Sequence, residues 1–347
     1  MIKAVIADDS AFVRNIVRDL FVEGGIDVVG LAKNGKEAIK LVKETKPNVL
    51  VLDIEMPVMN GLDALQQIMD ECPLPVFVFS QLTQEGAAET IRALEYGAVD
   101  FLLKPSGGIR DLKKARDDLI SKVRAIAHKS FLKKGVVEIK PVKAVHRPHA
   151  SLQLLKPRPI DIVAMGSSTG GVKAGITIMS QLSDCSKPIV WVQHMPPEFT
   201  ANFAKRLNTF SKLEVKEAEN GDILKAGCCY LARGGSQMRV RGRGDQCQIR
   251  ITKETKEYGG HCPSCDVLFH SVAEHYTANA LGIILTGMGC DGTDGLISMH
   301  NKGAFVIGQD EASCIVYGMP RAAYVAGAVD VELPLDDIAK GIMKIID

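Results

Sequence analysis

Asp8 and Asp9, Asp53, Ser80 and Lys104 each stand at or just beyond the end of a short apolar run in the first third of the sequence. Three carboxylates gathered at one point repel one another unless a cation lies between them. An all-oxygen set with room for water suits Mg²⁺. Asp53 is then placed to attack phosphorus as a carboxylate nucleophile, while Lys104 and the Ser80 hydroxyl hold the transferred phosphoryl oxygens. Taken singly, each has a plainer use: Asp8 and Asp9 cap a helix, and Asp53 sits in a loop. The joint pattern is what argues for chemistry. It runs Asp-Asp, then D-x-x-M-P-x-x-x-G from Asp53 to Gly61, then Ser80, then Lys104-Pro105, at the ends of the first, third, fourth and fifth runs.

A second set begins at Gly166-Ser167-Ser168-Thr169-Gly170-Gly171, between an apolar run and an amphipathic stretch. Such a turn either cradles phosphate with its amides or presents a serine nucleophile between strand and helix. It lacks the G-x-G-x-x-G spacing of a dinucleotide site and the lysine of a P-loop. The turn alone does not decide. His194 ends the next apolar run, and Asp291 falls in a second Gly-rich turn, Thr286–Gly292. By itself the histidine reads as structural and the aspartate as a helix N-cap. Together Ser168, His194 and Asp291 supply nucleophile, base and orienting carboxylate, a triad by role whatever the chain order.

The elements that must position these residues follow from periodicity. In residues 1–128 the runs Ile2–Ala7, Ile26–Ala32, Val49–Leu52, Val76–Phe79 and Val99–Leu102 are rich in β-branched residues and bounded by Asp, Gly or Pro, as buried parallel strands are. Amphipathic stretches at Ala11–Glu23, Lys36–Glu44, Gly61–Asp70, Thr83–Tyr96 and Asp111–His128 are expected helices. Five βα units predict a doubly wound α/β domain, which binds ligands at the C-terminal ends of its strands. A second alternation starts at Ile160. It has expected strands ending at Gly166 and Val192, and helices at Val172–Leu182 and Glu198–Phe210. Lys212–Ala218 follows as another strand. Short runs at Cys229–Ala232, Met238–Arg243 and Gln248–Thr252 between Gly-rich turns read as an antiparallel insertion. Helix Asp266–Tyr276, strand Ala280–Leu285, helix Gly292–Asn301, strand Ala304–Ile307 and a terminal helix Ile338–Ile346 complete the pattern.

Between the two alternations, residues 129–158 hold eight Lys or Arg, one acidic residue and three Pro, with no lasting period. This is a basic, flexible linker. Its charge admits a nucleic-acid or membrane contact, but a solvated tether is the preferred reading. The expected domains are therefore 1–128, 129–158 and 159–347. The 347 residues suit two domains. Hydrophobic residues at 46% and charged residues at 24% exclude a wholly disordered chain and a coiled coil. A net charge of +1 leaves no electrostatic footprint for nucleic acid. The longest apolar runs are strand-sized, far below the roughly 18 residues of a membrane span. The N-terminus lacks the features of a signal peptide. Nine Cys, scattered and odd in number, read as reduced thiols of a cytoplasmic protein.

The first set resembles the response-regulator receiver family at each of these positions. The resemblance implies a flavodoxin-like fold, phosphorylation of Asp53 by a histidine kinase, and Mg²⁺ held by Asp8, Asp9, Asp53 and the backbone carbonyl of Glu55. Ser80 and Lys104 correspond to the family's phosphoryl contacts, and Phe101 to its switch aromatic. The pieces GSSTGG, QHMPPEFTANFAKRLN, GGHCPSCDVLFHS and LTGMGCDG resemble the catalytic domain of the chemotaxis protein-glutamate methylesterase (CheB) family. With the receiver in front, the resemblance covers essentially the whole chain. It implies Ser168 as nucleophile, His194 as general base, Asp291 as orienter, the Met288 N–H as oxyanion donor and Thr169 as support. Cys290 departs from the Asn usual there, with only a modest effect expected on the turn.

These features lead to a cytoplasmic, phosphorylation-regulated esterase that acts on glutamate methyl esters of chemoreceptors and also deamidates certain glutamines. No cofactor is expected at the esterase site, no nucleic-acid partner and no membrane insertion. Two rivals stand beside it: a phospho-switched adaptor without catalysis, and an esterase for small metabolites. Cys262 and Cys265 form a C-x-x-C with no second ligand pair evident, so a helix start capped by Ser264 is preferred over zinc. Arg239, Arg241 and Arg243 alternate along one strand face as a solvated edge. Replacing Ser167, unlike Ser168, is expected to be nearly silent.

Overall fold

The computed structural model describes residues 1–80, 83–104, 109–127, 152–183, 185–253 and 260–346. The chain divides into two compact units, Met1–Val142 and Lys143–Asp347. In the first, β1 (Lys3–Ala7), α1 (Ala11–Glu23), β2 (Asp27–Ala32), α2 (Gly35–Thr45), β3 (Val49–Asp53), α3 (Gly61–Glu71), β4 (Val76–Ser80), α4 (Gln84–Glu95), β5 (Asp100–Leu103) and α5 (Ile109–Ile126) alternate as expected. The sheet runs β2-β1-β3-β4-β5, all parallel. The order reverses between β1 and β3, so the strand ends carrying Asp8 and Asp53 flank the switch point where such sheets bind ligands. Side-chain caps fix the helix starts. Ser10, Asn34, Asn60 and Thr83 each accept a hydrogen bond from the amide three residues on. Gly61 has a steric reason for its type: a Cβ there would lie 2.0 Å from the Asp53 carbonyl oxygen. The last residue of the Asp53 motif is what lets α3 start against that strand.

The second unit holds β6 (Ile162–Ser167), α6 (Gly171–Gln181), β7 (Ile189–Gln193), α7 (Pro197–Phe210), β8 (Glu214–Glu217), β9 (Cys228–Leu231), β10 (Gln237–Arg241) and β11 (Gln248–Thr252). It continues with α8 (Cys265–Tyr276), β12 (Ala280–Ile284), α9 (Thr293–Asn301), β13 (Phe305–Gln309), α10 (Met319–Val325), β14 (Val331–Leu333) and α11 (Leu335–Ile346). Seven parallel strands run in the order β14-β13-β12-β6-β7-β9-β8, and β10 pairs with β11 in a separate antiparallel hairpin. The expected insertion is thus one strand too large. Cys228–Leu231 is buried along its whole length and pairs parallel with β7 and β8. An unbroken apolar run is what a strand covered on both faces requires. α10 and β14 were not anticipated. The boundary of this unit also reaches further back than residue 159. Lys344 Nζ donates to the Leu152 carbonyl at 2.8 Å, the Arg158 amide to the Ile345 carbonyl at 2.8 Å, and Leu155 is buried. Of the expected linker, residues 129–151 lie outside the described residues.

Candidate active site

β6 lies between β7 and β12, and the chain order reverses there, so the turns after these three strands meet at one edge. They carry Ser168, His194 and Asp291. His194 Nε2 and Asp291 Oδ2 are 2.6 Å apart, with the two side chains 9% and 4% exposed. Asp291 sits over the N-terminus of α8. Its Oδ2 also accepts from the Cys265 amide at 2.6 Å, and its Oδ1 from the Ser264 hydroxyl at 2.7 Å and the Asp266 amide at 3.3 Å. Burial opposes the charge. The hydrogen bond and charge of His194, with Ser264 and the Cys265 amide, nevertheless hold the carboxyl well below the ordinary carboxylate range. Ser264 also caps α8, accepting from the Val267 amide at 3.4 Å, so the helix-start reading of C-x-x-C is the one observed.

With Nε2 bonded to a carboxylate, the imidazole proton belongs on Nε2, and the lone pair is on Nδ1. That nitrogen is buried and has no hydrogen-bond partner. The familiar serine-protease arrangement places the carboxylate on Nδ1 and the serine on Nε2; here the two ring nitrogens exchange roles. The Ser168 hydroxyl and Nδ1 are not hydrogen-bonded to each other. Ser168 is tied into the edge by its amide, which donates to the Thr286 carbonyl at 3.0 Å. Thr169 is buried, and its carbonyl accepts from the Thr286 hydroxyl at 2.9 Å. The turn from Thr286 is pinned by Val316–Met319, with the Gly287 carbonyl accepting from the Gly318 and Met319 amides. Among the described residues the Met288 amide donates to nothing.

His194, Cys265 and Asp291 offer ligand atoms within 4.8 Å of one another. They do not make a metal centre as they stand. The nitrogen and the carboxylate already satisfy each other, and burial pushes the Cys265 thiol well above its ordinary range, away from the thiolate a metal needs. Sequence reasoning missed two neighbours. The His261 ring stacks on His194 at 4.1 Å between centroids, 7° from parallel. Ser167 is fully buried, accepting from Trp191 Nε1 at 2.8 Å and donating to Gln193 Oε1 at 2.6 Å. A nearly silent Ser167 substitution is therefore not expected: its loss leaves two buried polar groups unpaired.

In the first unit, the carboxylates of Asp8, Asp9 and Asp53 lie within 4.8 Å of one another, with Asp8 and Asp53 buried and Asp9 exposed. Arg14, which the sequence did not single out, donates to the Asp8 carbonyl at 2.5 Å and the Asp9 carbonyl at 3.0 Å, holding that turn. Lys104 Nζ is 2.6 Å from Asp53 Oδ2 and 3.2 Å from Asp8 Oδ2. It serves both carboxylates by charge, and among the described residues no other group donates to either of these buried oxygens. The Glu55 amide reaches Asp53 Oδ1 at 3.4 Å. Phe101 is half-buried on β5 opposite Val78 of β4. Ser80 closes β4; its side chain lies outside the described residues. Three clustered carboxylates, two of them buried, that share a single ammonium fit a hard cation taking oxygen ligands.

Burial raises the Asp53 carboxyl from its ordinary 3.8 to about 6, against the pull of Lys104 and with the push of Asp8. A carboxyl raised on folding favours its protonated form. Its contribution to stability is full below 3.8 and is lost as pH rises through about 6. The loss is of order 3 kcal/mol at neutral pH, at about 1.4 kcal/mol per pKa unit. With chelator present, the melting temperature of the first unit is expected to fall between pH 5 and pH 7.5. Millimolar Mg²⁺ should restore it at pH 7.5 and do little at pH 5. Scanning calorimetry checks this; equal Mg²⁺ shifts at both pH values would show that the ion binds elsewhere.

Fold and site together define the class: a receiver-type α/β unit followed by a doubly wound α/β unit with a hydrolase-like Ser, His and Asp edge. A model described as the response regulator receiver domain matches residues 4–116, and one described as CheB methylesterase matches residues 163–342. A protein-glutamate methylesterase/protein-glutamine glutaminase of Geobacillus kaustophilus is 42% identical over 99% of each chain. Its namesake in Pyrococcus horikoshii is 40% identical over 100% of this chain and 94% of its own. The solved CheB methylesterase catalytic domain of Thermotoga maritima is 36% identical, covers 53% of this chain and 98% of its own, and superposes with a TM-score of 0.52. The chain belongs to the CheB methylesterase family, with a receiver domain at its N-terminal side.

Proposed function

We propose that this chain is a phosphorylation-regulated serine esterase that hydrolyses glutamate methyl esters of chemoreceptors and deamidates glutamines on them, for adaptation in chemotaxis. The observation that carries the reading is the 2.6 Å His194–Asp291 pair on the strand ends either side of Ser168. The Ser168 oxygen attacks the ester carbonyl while His194 Nδ1 takes its proton. Asp291 stabilises the imidazolium through Nε2 and keeps its own charge. The Met288 N–H donates to the oxyanion of the tetrahedral intermediate. Methanol leaves with the proton from His194. Water then attacks the acyl-enzyme, again giving its proton to Nδ1, which passes it to the departing Ser168 oxygen, and the glutamic acid released ionises to the carboxylate. With a glutamine substrate the leaving group is ammonia.

In the first unit the Asp53 carboxylate is the phosphoryl acceptor from a chemotaxis histidine kinase. Asp8, Asp9, Asp53 and the Glu55 carbonyl would hold Mg²⁺, which when bound neutralises charge on the transferring phosphoryl group. Lys104 and Ser80 hold phosphoryl oxygens, and Phe101 is the switch aromatic. No helix among the described residues is long and apolar enough to cross a membrane; the working compartment in this reading is the cytoplasm.

Methanol release from methylated receptor, with and without a phosphodonor, tests the whole reading. An adaptor releases none. An esterase for small metabolites leaves the receptor untouched but cleaves soluble esters. Asp291→Asn isolates the orienting carboxylate. It keeps the shape but removes the charge that holds the tautomer and stabilises the imidazolium. The rate constant kcat is expected to fall about 10³–10⁴-fold, less than for loss of Ser168. A loss under tenfold, measured with a chromogenic ester, would remove Asp291 from the reaction.

A further inference from the structure

Ser167 and Gln193 are the last residues of β6 and β7, and they pair across the sheet. The His194 amide still donates to the Ser167 carbonyl at 3.0 Å; beyond that the ladder stops. Ser168 and His194 are thus the first residues off the sheet on adjacent strands, and their side chains share no hydrogen bond. One side chain joins their backbones instead. Gln193 Nε2 donates to the Ser168 carbonyl at 2.9 Å and to the His194 carbonyl at 3.1 Å. Its two N–H groups are both spent, one on each residue. Its Oε1 accepts from Ser167, whose oxygen accepts in turn from the Trp191 indole. Trp191 and Ser167 are fully buried and Gln193 is 3% exposed. A flipped amide would aim Oε1 at two carbonyls, so the relay admits a single orientation.

Packing supports the same point independently. A Cβ on Gly171 would lie 2.0 Å from Gln193 Oε1, and a Cβ on Gly175 would lie 2.0 Å from the Trp191 ring. These positions are four apart on one face of α6. Glycine inside a helix, as at Gly175, costs about 0.5–1 kcal/mol relative to alanine; at both sites a Cβ would displace part of the relay.

We infer that Gln193 is a positioning residue for hydrolysis: its amide ties the Ser168 carbonyl to the His194 carbonyl and so fixes the separation of nucleophile and base, while Ser167 and Trp191 fix the orientation of the amide. This rests on the reading of Ser168 and His194 given above. A nucleophile and base that must meet on substrate binding lose about a hundredfold in rate from a displacement near 1 Å.

The test uses the full chain, p-nitrophenyl acetate as substrate, a fluorophosphonate probe for the reactive serine, and temperatures well below melting. Gln193→Met keeps length but removes the donors; Gly171→Ala keeps the Gln193 donors but forces its amide to shift, because the new Cβ would fall 2.0 Å from Oε1. Both should lower kcat about 10–100-fold, slow probe labelling in step, and leave KM within about threefold. The shape of the pH profile should not change, because no titrating group is altered. Ser167→Ala should lower kcat by about three- to tenfold alone and add nothing in the Gln193→Met background, the non-additivity of residues acting as one unit. It also supplies the measurement should Gln193→Met fail to fold. Wild-type kcat in folded Gln193→Met or in Ser167→Ala overturns the inference, as do Ser167 and Gln193 effects that multiply. A wild-type chain that neither labels nor hydrolyses overturns the reading of the site itself, and the two failures are separately visible.

Discussion

Ser168→Ala is expected to abolish ester hydrolysis while leaving the fold intact. The substitution removes one hydroxyl from a half-buried turn, and that hydroxyl makes no hydrogen bond among the described residues. The Ser168 backbone bonds to Thr286 and to Gln193 do not depend on it. Stability should therefore change by less than about 1 kcal/mol, as for a substitution that strands no buried partner. The rate is another matter. Without the oxygen no acyl-enzyme forms, and His194 is left with a free lone pair and nothing to activate. Losing the nucleophile from such a unit costs about 10⁶-fold in kcat, the residue coming from binding and oxyanion donation. Methanol release, chromogenic ester turnover and fluorophosphonate labelling should all disappear together. Labelling that persists in Ser168→Ala would move the nucleophile elsewhere. Ser167 is the obvious neighbour, but its oxygen already serves the Trp191 indole and the Gln193 carbonyl oxygen within a buried relay.

The contrast between those adjacent serines marks where sequence reading stops. The meeting of Ser168, His194 and Asp291 at one sheet edge was legible because each follows a strand-sized apolar run and stands in or beside a turn, and parallel sheets gather such turns at one edge. Asp8, Asp53 and Lys104 were legible for the same reason, and the structure brings all three together. Gln193 carried no such signal. One amide at a strand end has no period and no partner spacing; its importance comes from which two carbonyls happen to lie within reach. Arg14 is similar, since its guanidinium meets carbonyl groups that every residue has. The topology was misread where local cues were thinnest. Cys228–Leu231 is four residues set among Gly-rich turns, and its place in the main sheet is decided by burial on both faces. α10 has seven residues with a proline in its first turn, and β14 has three, both too short to show a period. The exchange of ring nitrogens on His194 lies wholly beyond sequence, because it depends on the direction from which Asp291 approaches.

Asp53→Asn should eliminate phosphorylation without harming the esterase. The carboxylate at the end of β3 lies closest to Lys104, at 2.6 Å, and is buried beside Asp8 at the sheet's switch point. As a nucleophile toward phosphorus it needs a full negative charge, and an amide oxygen does not supply one. Incubated with acetyl phosphate and Mg²⁺, the wild-type chain should gain an alkali-labile acyl phosphate and the variant none. Phosphodonor-stimulated methanol release from receptor should be lost with it, while turnover of a small ester stays at the unstimulated wild-type level. Unfolding does not offer a rival explanation. Burial makes the Asp53 charge unfavourable enough to lift its pKa to about 6, so removing that charge relieves a cost near neutral pH. Lys104 keeps Asp8 as a partner at 3.2 Å. The melting temperature of the variant at pH 7.5 without Mg²⁺ should accordingly match or exceed that of the wild type, and its Mg²⁺ response should shrink. A variant that is stable and still carries a Mg²⁺-dependent acyl phosphate would place the acceptor on another carboxylate, with Asp9, the exposed member of the cluster, the first to examine by the same substitution.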